Sequence, residues 1–573
     1  MTARLPLVLL LACSAKSDAP PPDDAPTPLV HTEVPVLVVR EPERAAFVGD
    51  VDRVTVAGEV TPGSGDLTSL VANGQTFDVS PSGGAFEDTI PAAPGLLIVG
   101  TRVETADGER AVDGRAVLAG PVHDPGATLE ESVKLQIGPA MLDDDDDDLD
   151  DLAAIAEMMV EDDAVADLLV GSQFGGDWYT ITVTSASWGD VAADLVPGSG
   201  SLAITLEISN VWIDYYAEID WYPDGEGSCW ADAAVVDLDL DLEVDRGEVV
   251  ASVTSVAVTL EGFGMTQEYF PDSFEDELAG YAEEFLADEI AAQVTDMVPG
   301  LVEEYLGAFA VDTEVSGLRF QMALASLRVA SDGLRLTMDA ATSGDVGIDL
   351  PPGAGSLRTD GDGPSFPLTE TEPFAMAADD DFLNQLLFNM WASGLMHDIV
   401  FSGVELTALA GEIPAPLGPV AEAEVDVDLP PVFSEATYAD QHFDLGIGEM
   451  RLRATREDGV LNDASVNVRT GGTLAFDDAG ELAMSLDDRP GNMTLEVGME
   501  AWPEALDPGD MAALVRLSVP PMLGTMSMFL PAFPVPTIPL DSFGLPGQEL
   551  RVEDPTASVQ DGWLVIEGTL TAE

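Results

Sequence analysis

The stretch from Phe274 to Phe309 limits what this chain can fold into more than any other segment. Its apolar side chains fall mostly three or four positions apart, and its acidic side chains lie largely off that stripe. This spacing predicts one long amphipathic helix, with Asp272 or Ser273 as its N-cap. Pro299 is expected to kink or interrupt the helix near its end. The predicted stripe comprises Phe274, Leu278, Tyr281, Phe285, Val294, Met297, Leu301 and Tyr305.

A helix of this length needs an apolar surface to lie against. The roughly 25 residues before the expected kink span about 37 Å at the rise of an α-helix. Long segments of alternating polarity on both sides of it predict antiparallel strands. In Val236–Val244 the leucines point to one face and the aspartates to the other, so one face is buried and one is wet. We therefore expect the helix to lie on a sheet of such strands.

The order of helix and long strands occurs twice along the chain. A second helix is predicted at Asp379–Met396, with acids at its start. Strands follow it, and a further helix is predicted to start at Asp507, where Pro508 and Asp510 form a good start signal. The inward side chains of these two helices include Phe382, Leu386, Met390, Met511, Leu514, Met526 and Phe529.

The charge of the chain restricts its partners. The 573 residues include 106 Asp and Glu but only 21 Lys and Arg, which gives a formal net charge of −85. This argues strongly against nucleic acid as a partner, because no basic patch can displace its counterions. It also argues against docking on anionic lipid headgroups. Hydrophobic residues make up 46% of the chain, enough for sizeable cores, so we interpret the acidity as an aid to solubility in a salty habitat.

The N-terminal residues have the pattern of an export signal. An apolar run follows Arg4 and is too short to span a bilayer. Leu10-Leu11-Ala12-Cys13 resembles a bacterial lipobox, which implies cleavage before Cys13 and acylation of its thiol; the alternative is an ordinary signal peptide with an incidental cysteine. We expect residues 1–12 to be the signal peptide and residues 13–31, rich in Pro and Asp, to be a flexible tether. The protein is thus expected to be lipid-anchored and extracytoplasmic, at the outer membrane or cell surface of a bacterium.

Residues 32–122 have a different pattern, with short strands separated by turns such as Asn73-Gly74 and Asp107-Gly108. Strands and turns at this spacing indicate a small β-sandwich. The segment resembles bacterial immunoglobulin-like modules, which are usually spacers or adhesive units. We expect a spacer.

The twofold order of helix and strands resembles the family of bactericidal/permeability-increasing protein and lipopolysaccharide-binding protein, within the tubular lipid-binding superfamily. Asp379–Trp391 is similar to the helix that opens the second half in that family, and Phe533–Leu570 is similar to its closing strands. The long helix matches in position. One departure is Cys229, which has no partner for the disulfide that members often carry in the first half.

The resemblance implies an α+β fold of two elongated antiparallel-sheet barrels, each wrapping a long helix, preceded by the immunoglobulin-like β-sandwich. The expected halves are residues 123–350 and 351–573, each with a slot for acyl chains between helix and sheet. The apolar pattern alone is equally compatible with a filled core, although methionine suits a variable ligand. The residues expected to line the slots are Phe274, Leu278, Tyr281, Phe285, Met297, Phe382, Leu386, Met390, Met511, Leu514, Met526 and Phe529.

No motif in the sequence indicates catalysis. It contains no His-Glu-x-x-His pair, no nucleophile elbow and no phosphate-binding loop, so we expect no enzyme, no cofactor and no metal site. The expected function is that of a lipoprotein that holds or transfers phospholipid-type acyl chains. One alternative is a structural or adhesive surface lipoprotein with filled domains. Another is a calcium-dependent surface protein built on Asp143–Asp148, although this run lacks the order of an EF-hand loop and is better interpreted as a solvated helix start.

Overall fold

The structure is a computed structural model of the whole chain. It describes residues 34–144, 149–161, 169–176, 179–220, 223–267, 272–315, 317–359, 361, 363–369, 372–402, 420–456, 459–476, 482–501, 515–516, 519–520, 523, 537–543 and 545–572.

The elements up to the end of the long helix are strands and two helices. The strands are β1 Val36–Glu41, β2 Phe47–Gly49, β3 Arg53–Thr61, β4 Leu67–Ala72, β5 Gln75–Thr76, β6 Gly84–Pro91, β7 Gly95–Thr105, β8 Arg110–Ala119, β9 Val122–His123, β10 Leu129–Ile137, β11 Gln173–Gly176, β12 Tyr179–Ser187, β13 Val191–Pro197, β14 Leu202–Ile219, β15 Gly225–Asp245, β16 Glu248–Glu261 and β17 Gly264–Gln267. The helices are α1 Leu152–Glu161 and α2 Asp272–Gly307.

The elements after the long helix are again mostly strands. They are β18 Val311–Val315, β19 Leu318–Ala330, β20 Gly333–Gly344, β21 Ser356–Leu357, β22 Phe374–Asp379, β23 Ile399–Ser402, β24 Glu422–Val427, β25 Val432–Glu435, β26 Phe443–Arg456, β27 Gly459–Phe476, β28 Leu482–Leu486, β29 Met493–Ala501, β30 Ile538–Pro539, β31 Glu549–Gln560 and β32 Trp563–Ala572, with helix α3 at Asp380–Ala392.

The first eight strands form two sheets that pack face to face. One sheet has the order β1-β3-β6 and the other the order β2-β8-β7-β4-β5. Val56 of the first sheet and Leu70 and Val99 of the second are fully buried in a shared core. The predicted turn at Asn73-Gly74 joins β4 to β5, and both of its residues have positive φ. The two-sheet arrangement thus follows the sequence pattern, while the likeness to immunoglobulin modules stays a prediction.

An eight-stranded central sheet joins the two later parts of the chain. Its order is β18-β19-β20-β10-β22-β32-β31-β30. The strands β10 and β18–β20 come from before residue 345, and β22 and β30–β32 come from after residue 373, so the antiparallel pair β10–β22 is the seam. Outward from the seam, the order on one side is β10, β20, β19, β18, and the order on the other side is β22, β32, β31, β30. On each side one early strand is followed by the last, the middle and the first strand of a later group. This is the order that a duplicated unit would give if its two copies paired back to back.

Each unit also carries a separate seven-stranded sheet. The first sheet has the order β11-β12-β14-β15-β16, with β13 paired to β14 and β17 to β15. The second sheet has the order β23-β24-β26-β27-β28, with β25 paired to β26 and β29 to β27. Helix α1 precedes the first sheet and α3 precedes the second, so the repeat extends beyond the central sheet.

The predicted pair of barrels, each wrapping a long helix, is wrong. The described residues are mostly in strands, and these strands form open sheets. The central sheet is shared between the units rather than divided into two closed barrels. Alternating polarity specifies which face of a strand is buried but not which strand it pairs with, so the β10–β22 seam has no signature in the sequence. The start of the further helix predicted at Asp507 lies outside the described residues, but Val515, Arg516, Val519, Pro520 and Leu523 are described and are helical.

The predicted long helix is present, but its buried stripe differs from the predicted one. The helix continues through Pro299 to Gly307 without interruption. One series of buried positions lies four apart, and each such step rotates the stripe by about 40°, as expected for a helix lying on a twisted sheet. Of the predicted stripe, Leu278, Val294, Leu301 and Tyr305 are buried, whereas Tyr281 is 49% exposed. The series that lies four apart is Leu278, Ala282, Leu286, Ile290, Val294, Val298, Val302 and Leu306.

Helix α3 is buried on every side, which explains its composition. All thirteen of its residues are buried, and Asp379 caps it by accepting a hydrogen bond from the amide of Asp381. Its polar side chains are satisfied by neighbours: Gln385 donates to Ala127 O at 2.6 Å, and Asn389 donates to Thr342 O at 2.8 Å. The helix predicted at Asp379–Met396 thus forms over Asp380–Ala392 and is a core element packed against strands of both units. Among the described residues, no helix is long and apolar enough to cross a bilayer.

The N-terminal sandwich is fixed to the second sheet through a buried ion pair. The side chain of Glu449 in β26 is buried, and it accepts hydrogen bonds from the Ala116 amide at 2.6 Å and from Arg44 at 3.0 Å. Arg44 also pairs with Asp113 at 2.6 Å. Gly114 lies so close to β29 that a Cβ atom there would come within 2.8 Å of the Val497 amide nitrogen. The sandwich is therefore a docked part of the body.

We predict that Glu449→Ala destabilises the protein by about 1–3 kcal/mol, because it leaves the buried Ala116 amide without an acceptor. Urea unfolding followed by near- and far-ultraviolet circular dichroism measures this, and we expect a separate early transition for the sandwich. The matched control is Glu59→Ala, which removes the exposed Arg40–Glu59 pair and should change stability by less than about 1 kcal/mol. Equal effects of the two substitutions would contradict the docking role.

Candidate functional site between the long helix and the first sheet

Helix α2 is anchored most firmly at its C-terminal end. Tyr305 and Phe309 are fully buried and meet edge to face, with ring centroids 6.1 Å apart. Phe309 in turn stacks on Phe374 of the central sheet at 6.4 Å. Glu303 of the helix accepts a hydrogen bond from the Ala251 amide of β16 at 2.9 Å, which ties the helix to the free edge of the first sheet. The middle of the helix is held by apolar packing against the inner face of that sheet.

An apolar cleft lies beneath the middle of α2. Its free volume is about 40 Å³, which is room for only a few water molecules. One wall is the helix, the second is the inner face of β14, and the third is the end of α1. The lining residues are Val160, Leu169, Trp188, Leu206, Ile208, Val211, Ile290, Gln293, Val294 and Met297.

A second, smaller space continues the cleft towards the start of the helix. It has a free volume of about 10 Å³ and shares Val211 and Ile290 with the first. Together the two spaces follow α2 from Leu286 to Met297, a distance of about 16 Å at the helical rise. The inner side of this helix thus borders a nearly continuous line of imperfect packing. The other residues of the second space are Ile213, Cys229, Trp230, Ala231, Leu260 and Phe263.

The polar groups around the cleft are acidic or neutral. Gln293 donates to Glu289 at 3.3 Å, and Glu289 also accepts from Ser172 at 3.3 Å. On the α1 side, Glu157 and Glu161 accept hydrogen bonds from backbone amides of β13, at 2.7 and 3.2 Å, and so cover this edge strand. Between Lys134 and Arg319 the sequence contains one basic residue, Arg246.

The residues predicted to line the slots are only partly brought together. Leu278 is buried, Phe285 and Met297 are partly buried against the same core, and Met297 borders the cleft. Tyr281 faces solvent, and the side chain of Phe274 is not among those described. The predicted residues of α3, namely Phe382, Leu386 and Met390, are buried in the core of the second unit. Cys13, Met511, Leu514, Met526 and Phe529 lie outside the described residues.

Several lining residues were not predicted. Leu206, Ile208 and Val211 occupy inward positions of β14, and Trp188 follows β12 and donates to Val160 O at 3.0 Å. The alternation of β14 would have indicated the first two. At Asn210, which has positive φ, the alternation of β14 changes phase so that Val211 points inward, although the register with β15 continues unbroken.

A cluster of three aspartates at the start of α3 is a separate feature of the second unit. Ligand oxygens of Asp379, Asp380 and Asp381 lie within 4.8 Å of one another, the kind of group that can hold a metal ion. The hydroxyl of Thr359 donates to Asp380, and His123 contacts Asp381 at 2.8 Å. Burial raises the pKa of Asp380 to about 8 and also raises the pKa of Asp379. The three aspartates thus form a largely buried, hydrogen-bonded acidic group at the N-terminus of α3.

The aspartate run at residues 143–148 is described only at its start. The carboxylate of Asp143 accepts a hydrogen bond from the Leu195 amide at 3.1 Å, and the N-cap of α1 is formed by Asp151, which accepts from the Ala154 amide at 2.7 Å. Residues 145–148 lie outside the described part of the chain. The calcium hypothesis stays untested.

Comparisons with known proteins found structural likeness without sequence likeness. No protein-family model matches the chain, and no curated protein matches it in sequence. A crystal structure of lipopolysaccharide binding protein aligns with a TM-score of 0.44 and 13% identity, over 77% of this chain and 98% of that one. The P47 protein of Clostridium botulinum A2 aligns with a TM-score of 0.26 and 8% identity, over 77% and 98%. These values are too low to indicate what the chain binds.

We predict that the unfolding free energy falls between about pH 4 and pH 8 in part because of Asp380. Its pKa is raised in the folded state, so its contribution is fully present below the unfolded pKa and is lost as the pH rises through the folded value. Asp380→Asn should make this fall shallower, as measured by urea unfolding across the range. The exposed Asp241→Asn is the control and should leave the slope unchanged. An unchanged slope in Asp380→Asn would contradict the assignment.

Proposed function

We propose that the chain binds an acyl chain, or a ligand of similar apolar shape, between α2 and the first sheet. The observation that carries this proposal is the line of two adjoining apolar spaces along the helix from Leu286 to Met297. Each methylene group moved from water into such a space contributes about 0.8 kcal/mol. The order of helix and strands along the chain, which resembles that of a lipid-binding family, favours the same class of ligand.

The small volume of the spaces defines how a ligand would enter. Free volumes of about 40 and 10 Å³ do not accommodate an acyl chain, so the middle of α2 moves away from β14 as the ligand enters. Met297 supports this role, because its unbranched side chain adapts to irregular contents. The C-terminal anchor at Tyr305 and Phe309 stays in place during this motion, which makes that end of the helix the pivot.

The charges around the cleft select the polar end of the ligand. Glu289 and Gln293 stand at its rim, and the only basic residue between Lys134 and Arg319 is Arg246. An anionic headgroup would be left without a partner there, which is costly. We propose a ligand with a neutral or zwitterionic polar end, such as a phospholipid whose headgroup carries a cation.

The location of the protein remains part of this proposal and is supported by the sequence alone. The apolar run before Cys13 and the lipobox-like residues around it favour an acylated, extracytoplasmic protein. A binding role rather than catalysis is likewise proposed on the lack of catalytic motifs in the sequence. Whether the ligand is transferred or only held depends on its rate of exchange.

A second candidate function is a structural or adhesive surface lipoprotein without a ligand. It is favoured by the second unit, where α3 is buried on every side and its polar side chains are satisfied. The docked sandwich also suits a rigid surface body. Organic extraction of the purified full-length protein followed by mass spectrometry separates the two: co-purified lipid supports binding, and its repeated absence together with no probe uptake supports the scaffold.

We predict that Ile290→Trp, which fills the point shared by both spaces, weakens uptake of a fluorescent fatty-acid probe by about tenfold or more. The substitution removes space for two methylene groups of the ligand, and the binding free energy lost with them corresponds to a decrease in affinity of this size. The matched control is Ala292→Trp on the exposed side of the same helix, which should bind as the unsubstituted protein does. Equal uptake by both variants, with thermal unfolding unchanged, would place the ligand elsewhere.

We also predict that Cys13 carries the lipid anchor. Growth with an alkyne-tagged fatty acid should label the protein in the cells that express it, and Cys13→Ser should abolish the labelling and release the protein from the membrane fraction. Cys229→Ser is the control, because this buried thiol, whose pKa burial raises to about 12, is unreactive. Labelling that persists in Cys13→Ser would contradict the lipobox assignment.

A further inference from the structure

Two tryptophans stack on each other on the outer face of the first sheet. Trp212 of β14 and Trp230 of β15 are register partners, with ring centroids 5.7 Å apart and ring planes inclined by only 15°. Trp212 is 45% exposed, and Tyr216, four residues further along the same face of β14, is 37% exposed. Exposed aromatic side chains that adjoin one another are typical of interaction surfaces. We call Trp212, Asp214, Tyr216 and Trp230 the tryptophan face.

The tryptophan face is held rigid from below. The indole of Trp230 lies across β17 at Gly264, where a Cβ atom would come within 2.6 Å of the ring. Trp212 donates its indole N–H to Asp214 at 3.0 Å. Asp214 in turn accepts hydrogen bonds from Ser228 at 2.7 Å and Ser185 at 3.0 Å, which hold the pKa of its carboxyl below the usual value. The aromatic rings are therefore preorganised around a permanent negative charge.

The electrostatics of the tryptophan face favour a cationic group. Glu226 and Glu218 lie on the same side of the sheet as Trp212 and Asp214, as the strand registers show. The first sheet has one basic residue, Arg246, in the turn at the opposite end of β15. Indole rings beside carboxylates attract weakly hydrated cations, of which the quaternary ammonium group is the best matched. A strongly anionic surface would be repelled.

We propose that the tryptophan face docks the protein on a bilayer surface that carries choline headgroups, with the exposed ring of Trp212 against the trimethylammonium group and Asp214 supplying the negative charge. A shallow surface binds a single trimethylammonium group weakly. A bilayer presents many such groups at a high local concentration, which raises the fraction of protein that is bound. Tryptophan and tyrosine are also the side chains that suit the boundary between water and lipid. This role goes beyond the proposed ligand site and does not require it.

The position of the tryptophan face gives the docking a consequence for the cleft. Val211 and Ile213, the immediate neighbours of Trp212 in β14, point inward and border the apolar spaces, as do Cys229 and Ala231 beside Trp230. A bilayer held on the outer face therefore lies one sheet thickness from the proposed ligand site.

The test measures sedimentation of the full-length chain carrying Cys13→Ser, so that no anchor contributes, with vesicles of phosphatidylcholine or of phosphatidylglycerol. We expect partitioning onto phosphatidylcholine only. Trp212→Ala should lower it by about fivefold, the size of one exposed cation–π contact, and Asp214→Asn should also lower it. Trp212→Phe keeps an aromatic ring and should retain most of the binding. Leu395→Ala, which removes an apolar side chain that is 48% exposed elsewhere, is the control and should have no effect.

The outcomes are distinct. Weaker binding of Trp212→Ala with an unchanged urea unfolding midpoint, together with retention in Trp212→Phe, supports the proposal. Equal partitioning onto both kinds of vesicle, binding that Trp212→Ala leaves unchanged, or no binding of the unsubstituted chain to phosphatidylcholine overturns it. Failure here leaves the fatty-acid uptake measured with Ile290→Trp unaffected, so the two proposals are tested separately.

Discussion

The antiparallel pair β10–β22 is the contact on which the rest of the structure depends. It joins Val133, Leu135 and Ile137, all fully buried, to Phe374, Met376 and Ala378, and it turns eight strands from two distant parts of the chain into one sheet. The opposite face of the seam is closed by other means: Lys134 lies 4.5 Å above the ring of Trp563 and donates to Pro364 O at 2.9 Å. The strands next to the seam are therefore buried on both faces, so a one-residue shift in their register would disrupt packing on both sides. The two peripheral sheets and their helices are positioned by this one seam.

The large excess of acid has structural uses beyond solubility. Carboxylates of α1 accept hydrogen bonds from alternate amides of the edge strand β13, and Glu303 of α2 does the same for β16. These two edge strands of the first sheet are thus covered by helices through charged side chains, which protects them from pairing with another chain. At Glu449 a carboxylate serves as the buried link between the sandwich and the body, and its cost of burial is offset by three donors. Acid-rich composition here therefore contributes specific contacts.

The sequence predicted the elements better than their arrangement. The long helix, the buried face of β15 and the turn at Asn73-Gly74 follow from local spacing, because 3.6-residue and 2-residue periods report directly on a single helix or strand. The shared central sheet could not be predicted, since pairing between residues more than two hundred positions apart leaves no mark in either segment. Tyr281 was misassigned because a straight stripe was assumed where a twisted sheet selects a rotating one. Ile290 was missed for the same reason, although it borders both apolar spaces. The tryptophan face depends on the register between β14 and β15, which alternation does not specify.

The β10–β22 seam also determines the order in which the strands of the central sheet can pair as the chain folds. Strand β10 can pair with β20 once the chain has been made as far as residue 344. Its other edge stays open until β22 is available. The outer edge of β22 then stays open until β32 follows, nearly two hundred residues later. Closing such long loops is slow compared with forming a hairpin. During that interval an apolar strand edge is presented to every neighbouring chain, a recognised route to aggregation. The closing strands of the second unit therefore act as the shield of the first, since the exposed edge disappears only when they have joined the sheet.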